Sequence, residues 1–221
     1  IEAAVAAIDD GASVMIGGFG VPGTPFCLLD ELVRQGQKGL TLIKNDANEN
    51  GMGVDHLLCN GQVERLIVSH IGLNSTAIEM MNQGRIEVEL CPQGILAERI
   101  RNAGAGLFGF LTDIGIDTTL AEGKPRFEID GRELMLERPL RADFALLHAA
   151  AADSLGNLVY AAAAQNFNPL MAMAADHVIA EAERITPPGE LAPEAIHTPA
   201  PFVDRLVELG QLTEEYGVVR R

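Results

Sequence analysis

The stretch Val14 to Pro25, VMIGGFGVPGTP, constrains this chain more than any other. A short apolar run, Val14-Met15-Ile16, stops at Gly17-Gly18; Gly20 and Gly23 follow, and Thr24-Pro25 opens a segment with helical spacing. An apolar run bounded by glycines reads as a buried strand, and glycine marks turns or close approach of bare backbone. Thr24 is the expected N-cap and Pro25 the expected first helical residue. Leu28, Leu29, Leu32 and Val33 give the apolar stripe of a helix that ends at Gly36. Strand, glycine loop and helix together present N–H groups to an anionic or thioester-bearing ligand.

The same rhythm recurs downstream. A helix carrying Ala4, Val5 and Ile8 leads to the strand Ser13 to Ile16. A strand at Leu40 to Ile43 runs into the polar loop Lys44 to Gly51. A third strand, Arg65 to Ser69, precedes a helix at Thr76 to Met81 that closes at Gly84. Ile86 to Leu90 alternates as a half-wet strand and delivers a turn, Cys91 to Gly94, before a helix at Leu96 to Asn102. Units of about 30 residues, strand then helix, predict an α/β fold: an open, mainly parallel sheet flanked by helices. The rhythm breaks at Thr112, where Phe127-Glu128-Ile129, Asp130-Gly131 and Leu134-Met135-Leu136 form a hairpin pattern. This predicts a small β excursion over about 112–139 inside one domain, 1–221. Strands are expected again at Phe144 to His148, Leu158 to Tyr160 and His177 to Ala180, with an Ala/Met-rich helix after Asn168-Pro169. An irregular tail over about 186–221 should end in a short helix, Val203 to Leu209.

Composition narrows the function. Lys and Arg number 16 against 31 Asp and Glu, a formal net charge of −15, which argues against a basic face for nucleic acid. No apolar run has transmembrane length, so no membrane role is expected. Cys27, Cys59 and Cys91 form no CxxC pair, which fits reduced thiols in a cytoplasmic setting and no metal site. The sequence opens at Ile1, so leading residues are expected to be missing.

Gly18-Phe19-Gly20-Val21-Pro22-Gly23 satisfies GxGxxG, and Asp46 lies where a dinucleotide site wants its ribose-binding acid. A dinucleotide-binding oxidoreductase domain is therefore one alternative. The prolines oppose it. In that fingerprint the helix begins near the second glycine, which would put Pro22 in its first turn and Pro25 deeper, at a cost of about 3 kcal/mol. The helix should start after Gly23.

Asp10 to Pro25, DGASVMIGGFGVPGTP, is followed in order by Asn45-Asp46, Ser69-His70-Ile71-Gly72, Pro92-Gln93-Gly94, Ala103-Gly104-Ala105-Gly106 and Asn166-Phe167-Asn168-Pro169. In these motifs and their spacing, from the first helix to about Gly210, the chain resembles the family I coenzyme A transferases, specifically the alpha (A) subunits of acetate or 3-oxoacid enzymes. The resemblance implies a ping-pong reaction through a glutamyl-CoA thioester, its nucleophilic glutamate carried by a partner beta subunit in an α2β2 hetero-oligomer. It implies an acyl-CoA and a short carboxylic acid as substrates, with no permanently bound cofactor and no metal. Asn45 would be the oxyanion donor. Gly17, Gly18, Phe19, Gly20, Val21, Pro22 and Gly23 would line the CoA thiol end and acyl pocket, and Gln93, Gly94 and Asn166 would contact substrate. Glu49-Asn50-Gly51 imitates part of the nucleophile motif, but Asn48 stands where that motif has serine, so Glu49 reads as a solvated loop acid. His70 reads as a half-buried histidine near the site. Two further alternatives are a catalytically silent paralogue of the fold and a sugar-phosphate isomerase-like enzyme; the latter needs a local acid/base pair that the sequence does not offer.

Overall fold

Buried apolar runs that end at glycine or at polar residues become strands of one parallel sheet, and the amphipathic segments between them cover its faces. The computed structural model describes residues 1–216. In chain order the elements are α1 (Glu2–Val5), β1 (Ser13–Ile16), α2 (Phe26–Gln35), β2 (Leu40–Ile43), α3 (Val54–Cys59), β3 (Val63–Val68), α4 (Ser75–Asn82), β4 (Glu87–Leu90) and α5 (Gln93–Gly104). Then come β5 (Phe110–Thr112), β6 (Arg126–Ile129), β7 (Arg132–Glu137), β8 (Ala142–Ala149), β9 (Ala151–Asp153), β10 (Leu158–Val159), α6 (Asn168–Ala174), β11 (Ala175–Ala182), β12 (Ile185–Thr186) and β13 (Arg205–Glu208).

Seven strands form the main sheet in the order β13-β11-β8-β1-β2-β3-β4, every neighbouring pair parallel. Alternate residues of the inner strands feed different cores, as the two-residue period of a strand requires. Val14, Ile16, Leu42 and Leu146 join one core, with α2, α3 and α4 residues such as Leu28, Leu57 and Ala77. Met15, Ile43, Ala145 and Leu147 join the other, with Leu96 and Ile100 of α5 and Met171 of α6. Side chains such as Leu28, Leu29 and Leu32 are wholly buried, each stabilising the fold by about 1.5–3 kcal/mol. The excursion is a three-stranded antiparallel sheet, β5-β7-β6, and its hairpin turns at Asp130-Gly131 with φ of +52° and +74°, as the residue pair requires. A second small sheet has the order β10-β9-β12.

Several sequence readings are corrected. Thr24 does not cap α2: its hydroxyl donates to the Gly20 carbonyl at 2.6 Å, Pro25 holds the cap position, and the helix starts at Phe26. The first N–H groups of α2 go to distant residues, Phe26 N–H to Tyr216 Oη and Leu28 N–H to Glu181 Oε2, both at 2.8 Å. Helix α5 starts at Gln93 rather than Leu96, so Gln93 and Gly94 form its first turn and are not a separate turn. The tail expected over 186–221, of which 217–221 lie outside the described residues, is not uniformly irregular up to residue 216: the helix expected at Val203 to Leu209 is the edge strand β13, paired with β11, with Leu206 and Val207 packing into opposite cores. Helix α3 has no counterpart among the elements expected from sequence, although Val54, Leu57 and Leu58 carry its buried stripe.

This topology positions the site. From β1 the chain moves outward through β2, β3 and β4, then returns to the other side of β1 with β8 and β11. Loops leaving β1 and β8 therefore diverge at the carboxyl end of the sheet, where open α/β sheets receive ligands.

Candidate functional site

The glycine loop follows β1, and its glycines have different reasons to be glycine. A Cβ on Gly17 would sit 2.0 Å from Asn168 Oδ1, one on Gly18 2.3 Å from Thr24 Oγ1, and one on Gly23 2.5 Å from the Ala164 carbonyl. These three make way for the chain's own atoms. Gly20 alone of the four faces open space and is held at φ +59°. Asn168, wholly buried, ties the loop down by donating from Nδ2 to the Gly23 carbonyl at 3.1 Å and to Ala164 at 2.8 Å.

The loop after β2 supplies a buried charge cluster. Lys44 is 0% exposed, and its Nζ lies 3.2 Å from Asp46 Oδ1 and 3.3 Å from the Gly20 carbonyl. Asp46 also accepts from Gly20 N–H at 2.8 Å, Asn48 N–H at 2.9 Å and Asn45 Nδ2 at 3.0 Å. Burial opposes the Asp46 charge, but the Lys44 ammonium and these donors outweigh it and hold the carboxyl below its ordinary range. Burial pulls the Lys44 ammonium down, with Asp46 opposing. The Gly20 carbonyl accepts from Thr24, Lys44 and, at 2.9 Å, Asn48 Nδ2. Asp46 is thereby committed to this cluster, and α2 begins beyond Pro25; neither feature suits a dinucleotide.

Asn45 is wholly buried, and its surroundings fix its amide. Its Oδ1 accepts from Gln93 Nε2 at 2.7 Å and Ser69 Oγ at 3.1 Å, which turns Nδ2 toward Asp46. Gln93, exposed at the start of α5, therefore touches Asn45 directly. Asn166 donates to the Pro22 carbonyl at 2.9 Å and to Ala163 at 2.7 Å.

Three cavities surround the loop. Phe19, Gln93, Gly94 and Asn166 line one of about 190 Å³. Phe19, Gly20 and Val21 line a second of about 90 Å³ with Asp46, Asn48 and His70. Val21, Pro22 and Gly23 line a third of about 290 Å³ with His148, Glu183 and Tyr216. Asn45 reaches the first through Gln93; Gly17 and Gly18 lie beneath the loop, buried. Glu49 is exposed at the rim of the second cavity, and His70 Nδ1 lies 3.1 Å from Ser69 Oγ.

Sequence reading missed a second buried cluster. His148 Nδ1 is 2.8 Å from Glu181 Oε1, to which Tyr216 also donates, and the His148 and Tyr216 rings lie 4.7 Å apart. These residues are far apart in sequence and share no motif; only the sheet brings β8 and β11 together. Among the thiols, burial and then the Glu181 charge push Cys27 up to about 12, and burial raises Cys91. Among the described residues no His/Cys/Asp/Glu group could hold a metal, and no helix is long and apolar enough to cross a membrane.

Comparison with known proteins gives this geometry a context. The family described as Coenzyme A transferase matches residues 1–209. A "Probable coenzyme A transferase subunit alpha" of Bacillus subtilis (strain 168) is 47% identical over 94% of this chain and 91% of that protein. The "Acetate CoA-transferase subunit alpha" of Escherichia coli (strain K12) is 46% identical over 90% of each. Among solved structures, a single-substitution variant of the decarboxylase AibA/AibB aligns with a TM-score of 0.80 at 32% identity, covering 94% of this chain and 80% of that one.

Proposed function

This chain belongs to the coenzyme A transferase family, and we propose that it is the alpha half of a two-chain CoA-transferase whose nucleophilic glutamate resides on a beta subunit. The family match across residues 1–209, with relatives named as alpha subunits that cover 90–94% of the chain, supports this reading. We further read 1–221 as one working domain, the partner as completing a cytoplasmic α2β2 enzyme, and the substrates as an acyl-CoA and a short carboxylic acid, with no resident cofactor.

The chemistry assigns this chain a supporting role. The partner's glutamate oxygen attacks the thioester carbonyl carbon, and the carbonyl electron pair moves onto oxygen. Collapse re-forms the carbonyl, breaks the C–S bond and releases CoA thiolate, leaving an acyl-glutamyl anhydride. The thiolate then attacks the glutamyl carbonyl, expelling the first acid, and the resulting glutamyl-CoA thioester passes CoA to the second acid by the reverse steps. Each tetrahedral adduct carries an oxyanion that needs positioned donors. One Asn45 N–H is held by Asp46; the other is the donor assigned to the oxyanion, and Ser69 and Gln93 fix its plane. Phe19, Gly20, Val21, Pro22 and Gly23 form the wall against which the thioester lies, Gly17 and Gly18 make room behind that wall for Asn168 and Thr24, and Gln93, Gly94 and Asn166 border the adjoining cavity.

The test is reconstitution. Purified alone the chain should show no CoA transfer, and co-expression with a CoA-transferase beta chain should restore transfer from acetyl-CoA or succinyl-CoA to short acids. Turnover by the chain alone, lost on Glu49→Ala, would overturn the division of labour. The 32% likeness to a decarboxylase supports one second reading. An assembled enzyme that releases CO2 from an acyl-CoA and transfers no CoA would favour it.

A further inference from the structure

Asn45 is an incomplete answer to the oxyanion, because it is wholly buried and half committed to Asp46. The peptide between Gly20 and Val21 is better exposed. Its carbonyl is held by three donors, Thr24 Oγ1 at 2.6 Å, Asn48 Nδ2 at 2.9 Å and the buried ammonium of Lys44 at 3.3 Å. No peptide bond in the described chain is cis, so the Val21 N–H points opposite to that carbonyl, away from the cluster. Val21 is half-buried, lines both the 90 Å³ and the 290 Å³ cavities, and its N–H has no acceptor among the described residues. Gly20 at φ +59° is what permits the peptide to take this orientation, and nothing occupies the space beside it.

We infer that the Val21 backbone N–H is an oxyanion donor in the CoA-transfer reaction, and that Lys44 is its positioning residue, acting through the Gly20 carbonyl. Three donors on one carbonyl, one of them charged, polarise the amide and strengthen its N–H as a donor. They also fix its direction before substrate arrives, so no reorganisation accompanies charge development. Lys44 touches no substrate; its charge reaches the reaction along one peptide. This assignment rests on the CoA-transferase reading.

The test uses the assembled two-chain enzyme. Replacing Val21 with its α-hydroxy analogue turns the amide into an ester and deletes only the N–H. kcat should fall on the order of 10²–10³-fold with KM nearly unchanged. Lys44→Met should cost on the order of 10-fold in kcat in the amide enzyme, the scale of one charged hydrogen bond, and nearly nothing further in the ester enzyme. An ester enzyme with wild-type kcat overturns the donor role. Equal losses from Lys44→Met in both backgrounds overturn the coupling, since a merely structural lysine would act additively. Should Lys44→Met not fold, the ester variant alone decides the donor. A wild-type complex that transfers no CoA would instead count against the functional reading.

Discussion

Two buried charged clusters flank the glycine loop, and they address different parts of the chain. Lys44 and Asp46 turn toward the Gly20 peptide, the part of the loop that faces open space. Glu181, His148 and Tyr216 turn toward the start of α2, where Glu181 accepts from Leu28 N–H and Tyr216 from Phe26 N–H. Both satisfy buried charge with several hydrogen bonds, as burial demands. The difference lies in what each holds still: one a peptide that borders two cavities, the other a helix terminus packed in the core, with His148 and Tyr216 also at the wall of the 290 Å³ cavity. Buried charge alone therefore does not mark a positioning residue; what it holds does.

The largest effect expected from this contrast is on stability. Glu181→Ala would strip His148, Tyr216 and Leu28 N–H of their common acceptor and should cost about 3–5 kcal/mol in denaturant unfolding. Because His148 and Tyr216 also line the 290 Å³ cavity, kcat of the surviving folded complex should fall, but by less than about 10-fold; a fall as steep as that of a site variant would erase the distinction between the clusters. On the other side, Asn45→Ala should cost on the order of 10²–10³ in kcat in the assembled enzyme, and an unchanged rate would remove Asn45 from the site.

The glycines sharpen the contrast on a smaller scale. Gly17→Ala meets Asn168 Oδ1 at 2.0 Å and should destabilise by about 1–3 kcal/mol through overpacking. Gly20→Ala meets nothing and should cost only about 1–2 kcal/mol for its left-handed backbone, yet should lose more kcat than Gly17→Ala per unit of stability lost. The reverse ranking would mean that loop packing, not the Gly20 peptide, sets the rate.

The smallest effect is a pH dependence. The Asp46 carboxyl is held below its usual value in the fold, so the stability it contributes is full above its unfolded pKa, about 3.9, and lost as pH falls through the lower folded value. Below about pH 4 the melting temperature of wild type should fall more steeply than that of Asp46→Asn, which lacks this titration. Parallel profiles would show that Asp46 is not coupled to folding.

Much of this was legible in the sequence, for local reasons. Strands β1 and β2 lie where their apolar runs predict, because Gly17 and Lys44 end those runs abruptly. The prolines correctly placed the start of α2 beyond Gly23, and the Asp130-Gly131 pair correctly announced a hairpin. What escaped needed partners distant in the chain. Lys44 read as the first residue of a polar loop, since only Gly20 and Asp46 together make it a buried cation. Leu206 and Val207 suited a helix as well as a strand until β11 offered an edge to pair with. Tyr216 and Glu181, 35 residues apart, meet only because the last strands bring them to α2.

We propose that this chain forms half an active site, holding the oxyanion while another chain supplies the nucleophile. The most direct measurement is the mass of each subunit under denaturing conditions after the assembled enzyme has been incubated with acyl-CoA and no acceptor acid. The prediction is a covalent CoA adduct on the beta chain and none on this one. An adduct on this chain, mapped by peptide digestion to Glu49 or any other carboxylate, would contradict it.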